Sequence, residues 1–155
     1  MDAELVNPFV EATIHVLETT ASTAATARKP YLKRERPESG VISGVIELSG
    51  DFDGVIAINF SEKLILSVVS SMFGEEMTEV NDEIKDAVGE ITNMISGKVT
   101  TKMTELGKSL QAKLSTVLMG TPHNVSFIED RPVIAMPYHT DHGDFTIEVS
   151  FGESG

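Results

Sequence analysis

The most regular pattern of apolar residues lies between residues 81 and 106. At about 100° per residue on a helical wheel, these apolar residues fall in one arc for about six turns, which predicts a core-facing stripe on a long helix. Asn81 before the stripe and Gly107 after it are suited to begin and end such a helix. The predicted stripe consists of Ile84, Val88, Ile91, Ile95, Val99 and Leu106.

Shorter patterns predict two more helices and five strands. Asn7 and Pro8 indicate the start of a first helix, and Ser61 and Gly74 bound a second one over residues 62–73. Strands are predicted over residues 41–48, 55–60, 110–119, 133–138 and 145–151, with a Gly/Asp-rich hairpin loop over 49–54. Short turns join consecutive strands, so most pairings should be antiparallel. We therefore predict an α+β fold, a single domain over residues 1–155.

Composition excludes several classes of function. Lys and Arg number 12 against 24 Asp and Glu, and the resulting net charge of -12 disfavours nucleic acid and anionic lipid as partners. No apolar run approaches the roughly 20 residues of a membrane span. The acidic start, Met1 to Glu4, differs from a basic secretory signal. Because there is no Cys, disulfides and thiolate chemistry are excluded. We expect a cytoplasmic protein without membrane insertion.

The face of the long helix opposite the apolar stripe carries Glu90 and Asn93, whose i,i+3 spacing places their side chains next to each other. Asp86 lies one turn earlier and Gly97 one turn later. This face is either an ordinary solvated surface or a site. An exposed helical Gly costs roughly 1 kcal/mol relative to Ala. Gly97 is therefore either a tolerated defect or a clearance for a partner's backbone beside Asn93.

The segment that holds these residues, Gly-Glu-Ile-Thr-Asn-Met-Ile-Ser-Gly-Lys over 89–98, resembles the signature of the CheC/CheX/FliY family. Its members dephosphorylate CheY-type response regulators in bacterial chemotaxis. The family motif is a Glu followed three residues later by Asn, commonly with Gly just before the Asn; Thr92 takes that position here. The order and spacing of the elements resemble the family over nearly the whole chain. In the first helix Ile14, not Asn, follows Glu11 by three residues, so a single motif is present, as in the homodimeric CheX branch.

The resemblance implies roles for these residues. The substrate would be an aspartyl phosphate on a CheY-type response regulator, which holds it with its own Mg²⁺ and a Lys. A carboxamide both accepts and donates hydrogen bonds, so Asn93 would orient the attacking water, as a Gln does in GTPases. Glu90 would contact the receiver's Lys, and Asp86 and Gly97 are further candidates for partner binding. No cofactor of its own is expected, only Mg²⁺ in the partner.

Other readings of the chain remain open. The segment 139–142, His-Thr-Asp-His, is either a metal-ligand set or a solvated turn, and His15 stands isolated. Asp51 and Asp53 lack the further acidic ligands of an EF-hand loop. The basic stretch 28–36 either contacts an acidic partner or forms a solvated loop and edge strand. As alternatives to an enzyme, the chain could be a receiver-binding adaptor without catalysis or a structural dimer; intact Glu90 and Asn93 favour the enzyme.

Overall fold

The computed structural model describes residues 3–33, 40–120, 125, 127 and 131–153. Over these residues the chain forms three helices and seven strands. In chain order they are α1 (Ala3–Ala21), β1 (Thr26–Ala27), β2 (Tyr31–Lys33), β3 (Ile42–Gly50), β4 (Phe52–Phe60), α2 (Glu62–Phe73), α3 (Asp82–Glu105), β5 (Leu110–Met119), β6 (Val133–Thr140) and β7 (Gly143–Glu153).

All described strands belong to one sheet in which every pairing is antiparallel. The strand order is β1-β6-β7-β4-β3-β5, and β2 also pairs with β6. The two short strands β1 and β2 therefore lie at one edge of the sheet and the ten-residue strand β5 at the other. The predicted α+β class with a mainly antiparallel sheet is confirmed.

The three helices pack against each other and share one hydrophobic core with the sheet. α1 contacts both α2 and α3, while α3 also lies against β5 and β3. Phe9, Leu17, Leu64, Ile91 and Ile58 are all buried in this cluster, which joins the helices to the central strands. Burial of side chains of this size contributes about 1.5–3 kcal/mol each. The core thus fixes the position of α3, the helix that bears the candidate site.

A series of buried polar contacts lies on the face of the sheet opposite the helices. The Ser43 hydroxyl donates to the Asn59 side-chain oxygen, and the Asn59 amide nitrogen donates to the Glu148 carboxylate. Lys33 Nζ forms an ion pair with the same carboxylate, and Lys33 also lies 6.0 Å from the Phe127 ring centroid. The side chain of Glu148 is 2% exposed and that of Lys33 11%. This ion pair joins the edge strand β2 to the centre of the sheet.

Two predicted boundaries near the N-terminal half are wrong. α1 begins at Ala3, so Pro8 lies inside the helix and is not its first residue. Because Pro has no N–H, this turn lacks one backbone hydrogen bond. The β3–β4 connection is also shorter than the predicted loop, since only Asp51 separates the strands. Gly50 has a φ of +118°, a conformation that L side chains rarely adopt, which allows the chain to reverse this tightly.

The predicted ends of α2 and α3 are confirmed. The Ser61 side chain accepts a hydrogen bond from the Leu64 N–H, and Gly74 follows α2 with a φ of +69°. Asn81 caps α3 in the same way, and its side chain accepts from the Ile84 N–H. These polar contacts satisfy N–H groups that a helix leaves unpaired at its start.

The prediction is wrong for one residue of the apolar stripe on α3. The other five predicted residues, Ile84, Val88, Ile91, Ile95 and Val99, are fully buried. Leu106, in contrast, lies beyond the helix and is 50% exposed. Met103 is fully buried instead. Towards its C-terminal end α3 turns a different side to the core, the side that faces β5. There the Thr100 hydroxyl donates to the Ala112 carbonyl and accepts from the Ala112 N–H.

The last two strands extend further into their turn than predicted. His139 pairs with Asp144 across the β6–β7 ladder, and only Asp141 and His142 remain between the strands. The basic stretch enters the edge strand β2 at residues 31–33, as one of its two readings predicts, while its residues 34–36 lie outside the described residues. No helix in the described ranges is long and apolar enough to cross a membrane.

Candidate active site on helix α3

The four candidate residues lie on the exposed side of α3. Asp86, Glu90, Asn93 and Gly97 are all exposed, and they follow one another at intervals of three or four residues. Residues at such spacing are neighbours on a helix surface. Buried residues lie between them, among them Ile91, which is fully buried. Glu90 and Asn93 are therefore presented to solvent from a helix that is anchored in the core on its opposite side.

The backbone around Asn93 is held by its two polar neighbours. Thr92 is fully buried, and its hydroxyl donates to the Val88 carbonyl at 2.7 Å. The Ser96 hydroxyl donates to the Asn93 carbonyl at 3.0 Å. Within the described part of the chain, no hydrogen bond engages the Asn93 side chain itself. Its carboxamide is therefore available for a partner or for water, while its backbone position is fixed.

Thr92 replaces the Gly that commonly precedes the Asn in the family motif, and the structure shows where its side chain goes. It packs onto Gly44 of β3: a Cβ added at Gly44 would lie 3.1 Å from the Thr92 Cβ, and closer still to its hydroxyl oxygen. Gly44 is itself buried. The side chain at position 92 is thus accommodated by a glycine on the neighbouring strand, and Asn93 remains on the exposed side.

Gly97 faces open space. No atom outside its own helix backbone and chain neighbours lies within 4 Å of the position that a Cβ would occupy there. Gly89, in contrast, would place a Cβ 3.8 Å from Val117 of β5. Internal packing therefore gives no reason for a glycine at position 97, which leaves the clearance and tolerated-defect interpretations for experiment.

A groove of about 690 Å³ runs between α1 and α3 and includes the candidate site at one wall. Sequence reasoning missed this groove. It treated Glu11 only as a motif residue without its Asn, and His15 as isolated, yet both line the groove that Asn93 and Gly97 also line. The i,i+4 spacing of Glu11 and His15 on an amphipathic helix indicated a common exposed side, but nothing in the sequence indicated that this side adjoins α3.

The described residues contain no group of three or more His, Asp or Glu side chains arranged to hold a metal ion. The residues considered for metals have other contacts. Asp51 accepts a hydrogen bond from the Ser109 N–H, and Asp53 forms an ion pair with Arg131 at 2.9 Å. His139 Nδ1 lies 2.7 Å from the Asp144 carboxylate. What the site on α3 offers is a carboxylate and a carboxamide, groups that bind and orient.

The fold and the site together define a small α+β domain that presents an exposed Glu/Asn pair from a core-anchored helix. A family model described as chemotaxis phosphatase CheX matches residues 42–139. The CheY-P phosphatase CheX of Thermotoga maritima is 31% identical over 123 residues, which cover 77% of this chain and 78% of that protein. The chain belongs to the CheX family of chemotaxis phosphatases.

Solved structures agree with this assignment. The chemotaxis protein CheX from Vibrio vulnificus is 34% identical and superposes with a TM-score of 0.86 over 97% of this chain and 100% of that one. A CheX–CheY–BeF3–Mg²⁺ complex from Borrelia burgdorferi is 22% identical, with a TM-score of 0.73 over 96% of this chain and 97% of that one. At that identity, the second likeness concerns the fold alone.

Proposed function

We propose that this protein is a phosphatase that hydrolyses the aspartyl phosphate of a CheY-type response regulator. The observation that carries the proposal is the exposed pair of Glu90 and Asn93 on a helix whose other side is buried in the core. Membership of the CheX family and the similarity to a CheY-P phosphatase support the substrate class.

Hydrolysis requires a water molecule in line with the leaving carboxylate. The water oxygen attacks phosphorus, the bond between phosphorus and the aspartyl oxygen breaks, and inorganic phosphate and a free carboxylate result. Catalysis of phosphoryl transfer is largely positioning and charge stabilisation. The Asn93 carboxamide accepts a hydrogen bond from the water and fixes its direction; it is not a base at neutral pH. The Mg²⁺ that neutralises the phosphoryl oxygens belongs to the receiver.

Glu90 has a separate role in this proposal. Its carboxylate contacts the Lys that the receiver carries beside its phosphoryl group, in a charge-assisted hydrogen bond. Because Glu90 and Asn93 are one helical turn apart, this contact also sets how far Asn93 enters the receiver's site. Asp86 and Gly97 flank the pair on the same side of α3 and form part of the contact surface as well.

The function is tested with Asn93→Ala. Loss of one positioned hydrogen-bonding group costs a factor of about 10²–10³ in kcat in other enzymes, so receiver dephosphorylation should fall by at least that order. Stability should change by no more than about 0.5 kcal/mol, because Asn93 is exposed. Gln111→Ala removes an exposed carboxamide from β5 and is the matched control.

The outcomes separate the candidate functions. Near-normal turnover by Asn93→Ala would contradict the water-orienting role. A wild-type protein that binds the phosphorylated receiver but does not accelerate its dephosphorylation would be an adaptor instead. We further propose that the protein acts in the cytoplasm as a homodimer, which would present two such sites.

A further inference from the structure

The groove between α1 and α3 contains charged side chains of both signs that do not pair with each other. α1 contributes Glu11 and His15, and α3 contributes Lys98, Lys102 and Glu105. Among the described residues, none of these five takes part in an ion pair. Charges of both signs that share a groove and remain unpaired are available to a partner with the complementary pattern.

Lys98 and Lys102 are the most informative of these residues. They are i,i+4 neighbours, and two like charges at this spacing destabilise an isolated helix. Although the chain has a net charge of -12 and Glu11 and Glu105 line the same groove, neither lysine forms an ion pair among the described residues. Lys102 is favoured by the C-terminal end of α3, but the adjacent Lys98 gains no ion pair, and together the two cations are available to an anionic group from outside the chain.

The groove is also partly apolar and is continuous with the candidate active site. Pro8 and Ala12 are buried at its base, and Met94 is 40% exposed, one of the few large apolar side chains at the surface. Asn93 and Gly97 line the same groove. A partner whose phosphoryl group lies over Asn93 therefore has an adjoining part of its surface over Met94 and the two lysines.

We propose that this groove receives a surface segment of the phosphorylated receiver domain, in which an apolar side chain contacts Met94 and carboxylates contact Lys98 and Lys102. The inference rests on the proposed function and adds to it the residues that select the partner. In this arrangement Lys98 and Lys102 affect affinity for the receiver, while Asn93 affects turnover. Met94, Lys98 and Lys102 take no part in the bond-breaking step.

The test compares two double charge reversals that change the net charge equally. Lys98→Glu with Lys102→Glu alters the groove, while Lys63→Glu with Lys85→Glu alters exposed lysines of α2 and of the first turn of α3 that do not line the groove. KM and kcat are measured with phosphorylated receiver at about 50 and about 200 mM salt, where exposed charges are screened to different extents. The groove variant should raise KM about tenfold or more and leave kcat within about twofold, with a weaker salt dependence of KM.

The control double variant should keep KM within about twofold of the wild type. Equal KM values for the two double variants would overturn the groove proposal without affecting the proposed function. Should the wild type fail to accelerate dephosphorylation, the proposed function fails, and the groove is tested by affinity for a receiver that carries beryllofluoride. Weaker binding by the groove variant, but not by the control variant, then supports the groove proposal. Equal binding by the two variants, or no binding by the wild type, overturns it. If the reversal prevents folding, Lys98→Gln with Lys102→Gln replaces it in the same assays.

Discussion

The side chain of Thr92 on α3 packs directly onto the backbone of Gly44 on β3. A Cβ at position 44 would lie 3.1 Å from the Thr92 Cβ and 3.2 Å from its Cγ2, distances tighter than nine in ten real contacts of a Cβ. Both residues are buried, and Thr92 immediately precedes Asn93. The absence of a side chain at Gly44 therefore leaves the room that Thr92 occupies beside the sheet.

Gly44→Ala should therefore destabilise the fold by about 1–3 kcal/mol, the usual cost of overpacking a core. The substitution should also reduce phosphatase activity, because the residue next to Asn93, or α3 itself, must shift to admit the methyl group. Urea unfolding and receiver dephosphorylation measure the two effects.

A second substitution tests the cause. In Thr92→Gly the obstructing side chain is absent, so Gly44→Ala should cost much less stability there than in the wild type. The coupling free energy from the double-mutant cycle should be about 0.5–3 kcal/mol, as for other residues in contact. Additive effects would show that Thr92 and Gly44 do not constrain each other.

Glu90→Lys should weaken docking as well as turnover, because it places a cation against the receiver's Lys. Asn93→Ala should reduce turnover more than docking. Affinity for a receiver carrying beryllofluoride, measured by calorimetry or fluorescence, distinguishes the two variants. Truncation of one partner of a buried, hydrogen-bonded charge pair in an interface typically costs about 2–5 kcal/mol. An unchanged affinity for Glu90→Lys would remove Glu90 from the docking role.

Substitutions at Gly97 test the clearance interpretation. Gly97→Ala should stabilise the protein by up to about 1 kcal/mol, since Ala is the better helix former. Gly97→Leu should also fold, because a Cβ there meets no atom within 4 Å. Both should slow receiver dephosphorylation, Leu far more than Ala. Thermal unfolding and dephosphorylation rates are measured on both.

Gly89→Ala provides the matched control for this series. It adds the same methyl group to the same helix, but on the side that faces Val117, so it should gain stability without a comparable loss of activity. Normal activity of a folded Gly97→Leu would show that Gly97 is only a tolerated defect. Unfolding of Gly97→Leu would instead show a packing role.

Assembly as a homodimer is tested by mass. On the side away from β3, β5 has no partner among the described strands, and such an edge can continue a sheet into a second copy. Sedimentation at micromolar concentration should therefore give twice the 16.8 kDa of one chain. A mass near 16.8 kDa would contradict the dimer.

Local signals in the sequence predicted much of this fold. Ser61 and Gly74 bound α2 as expected, because caps depend on nearby residues and on backbone conformation. The exposure of Glu90 and Asn93 also followed from helical periodicity. The family likeness then assigned chemistry to these two residues, which periodicity alone did not.

Features that depend on contacts between distant segments could not be predicted in this way. A helical wheel assumes that one side of a helix faces the core throughout, but α3 changes the side it buries where it meets β5, so Leu106 is exposed and Met103 is buried. The groove is a similar case. It exists because α1 lies beside α3, and no periodicity within either helix indicates how closely two helices pack or what remains open between them.

The buried ion pair between Lys33 and Glu148 restricts how the edge of the sheet can assemble. β2 has only three residues, too few for an alternating pattern to select one alignment against β6. A slip of one residue would turn the Lys33 side chain to the opposite face of the sheet. Loss of one partner from a buried pair costs about 3–5 kcal/mol. A single lysine thus selects one alignment of this short strand, because misaligned forms lose the ion pair and are disfavoured by about 3–5 kcal/mol.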